Sequence, residues 1–155
     1  MAGSTAGRRA TFPDVTSLAD EVLRAGLDDW VPLAALDGHA RLLWPDADWS
    51  RRRGELLDAL RQLLDAGLVE LGEVDAGRFR PWPAASTAEL VDRVRATMST
   101  PGAAQPTGQG AVQHAEWAFA IWLSTTQRGD DAGYALIERE SCMDDGRALA
   151  ARRQA

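Results

Sequence analysis

The sequence has no lysine, a single cysteine and only two histidines among its 155 residues. One cysteine, Cys142, excludes an internal disulfide and any zinc site built from several cysteines. No apolar run reaches the roughly 18 residues that a membrane-spanning helix needs. The stretch from Met1 to Phe12 contains no apolar segment typical of a secretory signal. We therefore expect a cytoplasmic protein with no membrane partner.

The charges are strongly unbalanced. Arginine supplies all 17 positive charges against 23 aspartates and glutamates, so the net charge is −6 and the isoelectric point is near 4.9. A chain of this charge does not bind nucleic acid or anionic membranes through its overall field, which leaves only a local basic patch for such a role. With 45% hydrophobic residues, the chain is long enough for one domain with its own core.

Three helices are predicted in the first half of the chain. One apolar stripe runs from Val15 to Leu27 with Asp14 as its N-cap, and a second runs from Leu33 to Leu43. Ser50 begins the strongest helix, about four turns long, and Gly67 stands where a C-terminal cap belongs. The apolar face of this third helix consists of Leu56, Leu57, Leu60, Leu63 and Leu64.

A β-hairpin is predicted after the third helix. Apolar and polar residues alternate from Leu68 to Val74, Asp75-Ala76-Gly77 has the composition of a turn, and a return strand over 78–82 ends with a proline. Earlier in the chain, Pro32 limits the apolar segment between the first two helices to a brief edge strand.

The second half is predicted to contain a fourth helix from Thr87 to Met98, capped by Ser86. The segment 116–123 is ambiguous, because as a helix it would be apolar all round and only about two turns long, and we favour a strand. One face of that strand would carry Trp117, Phe119, Ile121 and Leu123. Ser124 to Thr126 would then cap a final helix.

A single domain is predicted over residues 14–140. Small and polar residues predict a flexible leader at 1–13, a flexible loop at 99–110 and a polar tail at 141–155.

Three helices followed by a hairpin are the order of elements in a winged helix-turn-helix, and this chain adds a further helix, a late strand and a C-terminal helix. The stretch Leu60–Glu70 resembles the junction between the third helix and the wing in winged-helix proteins. Trp122–Gly129 resembles the strand-to-helix step that often follows a wing. The predicted fold class is therefore α+β and winged-helix-like.

Four short blocks carry a family resemblance: Asp29–Leu33, Ala66–Gly72, Phe79–Trp82 and the tryptophan-leucine step before Gly129. Over about residues 15–135 the chain resembles a family of small uncharacterised actinobacterial proteins. The resemblance implies a winged-helix-like fold and no defined activity.

The predicted third helix begins with a polar, cationic cluster made of Ser50, Arg51, Arg52 and Arg53. In helix-turn-helix proteins the start of this helix meets the major groove, where arginines hold phosphates or read guanine. The same helix also carries Glu55, Asp58 and Asp65, and the predicted wing has more acids than arginines. The alternative is that these arginines form surface ion pairs, each worth less than about 1 kcal/mol.

Tryptophan is abundant, and its six positions are Trp30, Trp44, Trp49, Trp82, Trp117 and Trp122. Such side chains are enriched at protein interfaces, but they also fill cores with the indole N–H bonded to the backbone. We single out Trp82 and Trp122 as candidate protein-interaction residues, the latter because it lies opposite the Trp117 face of the late strand.

Catalytic and metal-binding motifs are not recognisable in the sequence. Neither His39 nor His114 has another histidine or a cysteine at metal-ligand spacing, and Cys142 lies beside acidic residues that disfavour a thiolate. We find no nucleophile with its base and no glycine-rich phosphate loop. We therefore expect a protein that is not an enzyme and has no metal or cofactor.

Two functional hypotheses remain. The first is a non-enzymatic module that binds another protein, of the immunity or antitoxin type, for which the acidic surface suits a basic partner. The second is a DNA-binding transcriptional regulator that uses Ser50 to Arg53 and forms a homodimer through the last helix.

Overall fold

A computed structural model describes residues 17–98 and 117–152 of the chain. The predicted leader, the predicted loop at 99–110, Asp14 and His114 lie outside the described residues. The helices are α1 (Leu18–Gly26), α2 (Leu33–Leu43), α3 (Trp49–Asp65), α4 (Thr87–Thr97), α5 (Trp117–Ala120) and α6 (Gln127–Arg152). The strands are β1 (Val31–Pro32), β2 (Val69–Asp75), β3 (Arg78–Pro81) and β4 (Trp122–Thr125). The α+β class is confirmed.

Two helix starts differ from the prediction because other side chains cap them. Ser17 accepts a hydrogen bond from the Asp20 N–H, and Asp20 bonds back to the Ser17 N–H, so α1 begins at Leu18. Asp48 accepts from the Arg51 N–H at 2.8 Å, so α3 begins at Trp49 and Ser50 lies inside its first turn.

The cap of α4 is the predicted one. The Ser86 hydroxyl accepts from the Glu89 N–H, and the Glu89 carboxylate accepts from the Ser86 N–H at 2.8 Å and from the Ser86 hydroxyl at 2.7 Å. These bonds favour the ionised carboxylate and lower the pKa of Glu89 below its ordinary value.

The end of α3 and the hairpin follow the prediction closely. Gly67 has φ +64°, and the Leu68 N–H donates to the Leu63 carbonyl at 2.9 Å, which closes a Schellman motif. The two-residue turn of the hairpin consists of Ala76 and Gly77, both with positive φ, as a type I′ turn requires.

The late strand is shorter and starts later than predicted. Residues 117–120 form α5, and β4 occupies Trp122–Thr125, so the prediction of a strand over 116–123 is wrong for its first part. Trp117 and Ala118 are adjacent and both buried, which successive residues of a one-faced strand cannot be. Trp117 stacks on Trp49 of α3, with ring centroids 5.4 Å apart.

The four strands form one antiparallel sheet in the order β1-β4-β2-β3. The late strand thus lies between the brief edge strand β1 and the hairpin. The core side of the sheet, called the inner face here, carries Val31, Val69, Leu71 and Leu123. Helices α1 to α4 pack their apolar faces into the same core, through residues such as Val22, Leu36, Leu60 and Val91.

The final helix, α6, packs along α1. Its start is capped by the Thr126 hydroxyl, which accepts from the Gly129 N–H at 3.2 Å as the sequence predicts. Gly133 allows the close approach, because a Cβ there would stand 3.1 Å from the Leu23 carbonyl oxygen, and Gly129 leaves room for the Leu68 carbonyl just before β2. Arg24 of α1 bonds to Glu140 of α6. The helix extends to Arg152 and so includes most of the predicted polar tail.

Candidate protein-interaction surface

The arginines at the start of α3 point in different directions and make different contacts. Arg52 turns inward, where its guanidinium lies 3.5 Å from the buried Asp37 carboxylate and donates to the Ala47 carbonyl at 2.5 Å. The Asp37 carboxylate, in a residue only 8% exposed, also pairs with Arg41 at 2.9 Å. Arg52 also approaches the Trp49 ring, 5.9 Å from its centroid. This arginine therefore connects α2 with α3.

The other members of the cluster point elsewhere. Arg53 donates to the Arg95 carbonyl of α4 at 2.9 Å, so it connects α3 with α4. Ser50 and Arg51 are exposed. Further along the exposed side of α3, Arg61 pairs with Asp58 at 3.0 Å, and Asp65 is exposed near the end of the helix. The structure does not bring the three arginines together on one open surface.

Trp82 connects the hairpin with α4. Its indole N–H donates to the Glu73 carboxylate at 3.2 Å, and the Arg93 guanidinium lies 3.8 Å from its ring centroid. Arg93 also lies 3.7 Å from Glu73. The three side chains form a partly exposed set within the chain in which an indole and a carboxylate together hold one cation. We call it the internal Trp82 triad.

Trp122 lies on the side of the sheet opposite the core, called the outer face here. Its neighbour Leu123 is 1% exposed on the inner face, so Trp122 points the other way and is partly exposed. Its indole N–H donates to the Phe119 carbonyl at 2.7 Å, and the Phe119 ring, in a residue 49% exposed, lies 6.4 Å away.

The strand register collects further aromatic residues on the outer face. Trp122 is paired with Gly72, and Gly72 with Pro81, so these residues form one row across the sheet. The rings of Trp30 and Phe79 come from opposite edges and meet with centroids 6.0 Å apart. Both are partly exposed.

Gly72 forms the floor beneath these rings. A Cβ at this position would stand 2.7 Å from Phe79 Cζ and would also collide with the Arg80 carbonyl. The missing side chain therefore lets the Phe79 ring lie down on the sheet. Trp30, Gly72, Phe79 and Trp122 together are called the outer aromatic surface below.

Acidic residues adjoin the outer aromatic surface. Glu70 alternates with buried Val69 and Leu71, so it points outward, and its cross-strand partner is Ser124. Asp28 and Asp29 are exposed just before Trp30. Within the described ranges, the Glu70 carboxylate has no hydrogen bond or ion pair.

A groove of about 280 Å³ lies elsewhere, between the start of α1, the end of α2 and the middle of α3. Its lining is apolar at Leu18, Leu43 and Trp44, with Glu55 and Asp58 among its polar residues. No set of three histidine, cysteine, aspartate or glutamate side chains in the described part of the chain could hold a metal ion. None of the described helices is long and apolar enough to cross a membrane.

The sequence singled out Trp82 and Trp122, and the structure separates them. Trp82 belongs to the internal triad, whereas Trp122 belongs to the outer aromatic surface. Trp30 and Phe79 were not singled out as interaction residues, because their proximity depends on a sheet order that inserts β4 between them. Comparison of the chain with protein-family models, curated proteins and solved structures found no significant match.

Proposed function

We propose that this chain is a winged-helix-like module that binds another protein through its outer aromatic surface. The succession of α1, β1, α2, α3 and the β2–β3 hairpin supports the winged-helix assignment, and the insertion of β4 beside β1 distinguishes this chain from a simple three-stranded version. A role of the immunity or antitoxin type agrees with the acidic composition.

The observation that carries the proposal is the aromatic content of an open sheet face. Trp30, Phe79 and Trp122 are large side chains that remain partly exposed on one continuous surface. Tryptophan and other aromatic residues are the usual anchors of protein interfaces, because they bury much area at a low cost in side-chain entropy. Contiguous apolar patches on a folded chain typically mark binding sites.

DNA binding is the second candidate, and the observation in its favour is the exposed Arg51 in the first turn of α3. It has weaker support, because Arg52 and Arg53 make contacts within the domain. The hairpin also carries more negative than positive charge, from Glu70, Glu73 and Asp75 against Arg78 and Arg80. A surface that approaches phosphates is expected to be positive.

The main experiment places a photo-activated crosslinking amino acid at Ser124, in the middle of the outer face, in the full chain within cells of its source organism. A matched position is Asp65, which is exposed on α3. We expect one discrete protein adduct from position 124 and none from position 65. Equal labelling at both positions, or no adduct at 124, would reject the proposed surface.

A mobility-shift assay with genomic fragments at low salt tests the second candidate. We expect no discrete shift with the wild-type chain. A shift that Arg51→Glu abolishes, with Arg61→Glu as control and folding checked by circular dichroism, would favour the DNA-binding alternative instead.

A further inference from the structure

We infer that the outer aromatic surface holds an arginine or lysine side chain of its protein partner, with Glu70 as the counter-ion. This inference rests on the proposed function and adds the chemistry of the partner. It concerns the part of the outer face where the strand register brings Glu70, Trp30 and Trp122 close together.

The register places these three residues together. Glu70 is paired with Ser124, and Trp30 follows on the far side of Ser124, because the next residue, Val31, is paired with Leu123. Trp122 is the diagonal neighbour of Glu70, a relation that spans about 7–8 Å between Cα atoms and lies within reach of long side chains. The register therefore places one carboxylate and two indoles near Ser124 on the same face of the sheet.

At two other places in the chain, an indole and a carboxylate lie close to the same arginine. In the internal Trp82 triad, Arg93 lies 3.8 Å from the indole centroid and 3.7 Å from Glu73. At the start of α3, Arg52 lies 5.9 Å from the centroid of the Trp49 ring and 3.5 Å from Asp37. On the outer face, the indoles and the carboxylate are present, but Glu70 has no cation partner among the residues that the structure describes.

A cationic side chain would meet two attractions at this site. The electron-rich face of an indole attracts it, and the carboxylate adds a charge-assisted hydrogen bond. Water is partly displaced by the surrounding rings of Trp30 and Phe79, which strengthens both interactions. Arginine fits best, because its planar guanidinium can stack on a ring and still bond to a carboxylate.

The charge of the outer aromatic surface favours one class of binding partner over the others. A second copy related by twofold symmetry would bring another set of Glu70, Asp28 and Asp29 into the interface, and this added negative charge is unfavourable. Nucleic acid would bring phosphates to the same carboxylates. A basic segment of another protein is the occupant whose charge is complementary to the surface.

The test uses the full chain and two synthetic decapeptides that alternate leucine with either arginine or citrulline, the uncharged analogue of arginine. Binding is measured by calorimetry at low salt. We expect the arginine peptide to bind about tenfold or more tightly than the citrulline peptide, since a hydrogen bond to a charged group is worth at least that factor. The Glu70→Gln variant should lose about the same factor, whereas Asp65→Asn, which removes an equal charge from α3, should change nothing.

The outcomes separate this inference from the proposed function. Equal affinity for both peptides, no binding of either, or no effect of Glu70→Gln beyond that of Asp65→Asn would overturn the cation site. A protein crosslinked at position 124 would then still support the aromatic surface as a binding site. The absence of that adduct, together with failure of the peptides, would overturn both. A crosslinked partner segment that contains arginine or lysine, with the expected peptide preference, would support both.

Discussion

The inner and outer faces of the same sheet differ in the type of side chain they carry and in how far those side chains are buried. The inner face is aliphatic and fully covered by helices, with Leu71 at 2% and Leu123 at 1% exposure. The outer face is aromatic and acidic, and Trp30, Phe79 and Trp122 remain partly open. Aliphatic side chains fill a closed core at high density, whereas aromatic rings on a glycine floor leave area for a further contact. The inner face stabilises the domain, and the outer face is the one on which we propose that a partner binds.

The α3 arginines repeat this division over a single helical turn. Arg52 has a side chain 12% exposed and pairs with a buried carboxylate, whereas Arg51, the preceding residue, is exposed. Adjacent helical positions point in different directions, so a run of identical residues does not make a uniform surface. A cationic motif in a sequence therefore does not by itself define a cationic surface.

The largest expected effect on stability comes from replacing Leu123 by alanine, and the matched comparison is the same change at Trp122, its neighbour on the opposite face. Leu123→Ala should lower the free energy of unfolding by about 3 kcal/mol, because it leaves a cavity in the core. Trp122→Ala should lower it by about 1 kcal/mol, because the ring is only partly buried. Urea denaturation measures both. Equal losses would mean that the outer face is part of the core and would break the comparison.

Removing the inward-pointing side chain of Arg52 should have the next largest effect on stability. Arg52→Ala should cost about 2 kcal/mol, because Asp37 then remains buried with Arg41 as its remaining partner. Arg51→Ala should change stability by less than about 0.5 kcal/mol, as is usual for exposed positions. Thermal or urea unfolding of the two variants side by side checks the difference. Similar values for both would contradict the division within α3.

The floor of the outer aromatic surface gives a third test. Gly72→Ala should lower stability by about 1–2 kcal/mol, because the new Cβ must displace the Phe79 ring and the Arg80 backbone. Gly54→Ala, in open space on α3, should instead raise stability by about 0.5–1 kcal/mol. A neutral Gly72→Ala would show that Phe79 does not need the glycine floor.

The smallest effect concerns the α4 cap, which lies on neither face. The Glu89 pKa is lowered in the folded chain from its ordinary value of 4.5, so its contribution to stability is present above that value and is lost as the pH falls through the folded-state pKa. Ser86→Ala removes the hydroxyl bond, which is the larger cause of the shift, and leaves the bond from the backbone N–H of residue 86. The stability difference between wild type and variant should therefore be larger at pH 7 than at pH 3, as measured by urea unfolding. A difference that is equal at the two pH values would contradict this assignment.

Much of the local structure could be predicted from the sequence. Gly67 ends α3, Ala76 and Gly77 turn the hairpin, and Ser86 caps α4, because each depends on residues that are close together in the chain. The late strand was misplaced, because an apolar run without clear periodicity does not distinguish a strand from a short helix. The stacking of Trp117 on Trp49, a contact across 68 residues of chain, accompanies the helical conformation of this segment.

The candidate site could be predicted only in part. Trp122 was singled out from its position opposite a predicted core face, and in the structure it lies opposite buried Leu123 in a shorter strand. Its role in protein interaction stays a prediction. Trp30 and Phe79 could not be paired in advance, because they approach each other only when β4 lies between β1 and the hairpin. Trp82 was singled out in the same way, and in the structure its ring contacts Arg93 of α4. Its role in protein interaction also stays a prediction.

The sequence by itself determined the acidic charge, the α+β class, the caps and the turn of the hairpin, since these follow from composition and from neighbours within a few residues. The tertiary structure decided which tryptophan and arginine side chains make contacts within the chain and which remain exposed to solvent. The physical reason is that packing and ion pairing over long sequence separations depend on which elements become neighbours, and the insertion of β4 between β1 and β2 is such a choice.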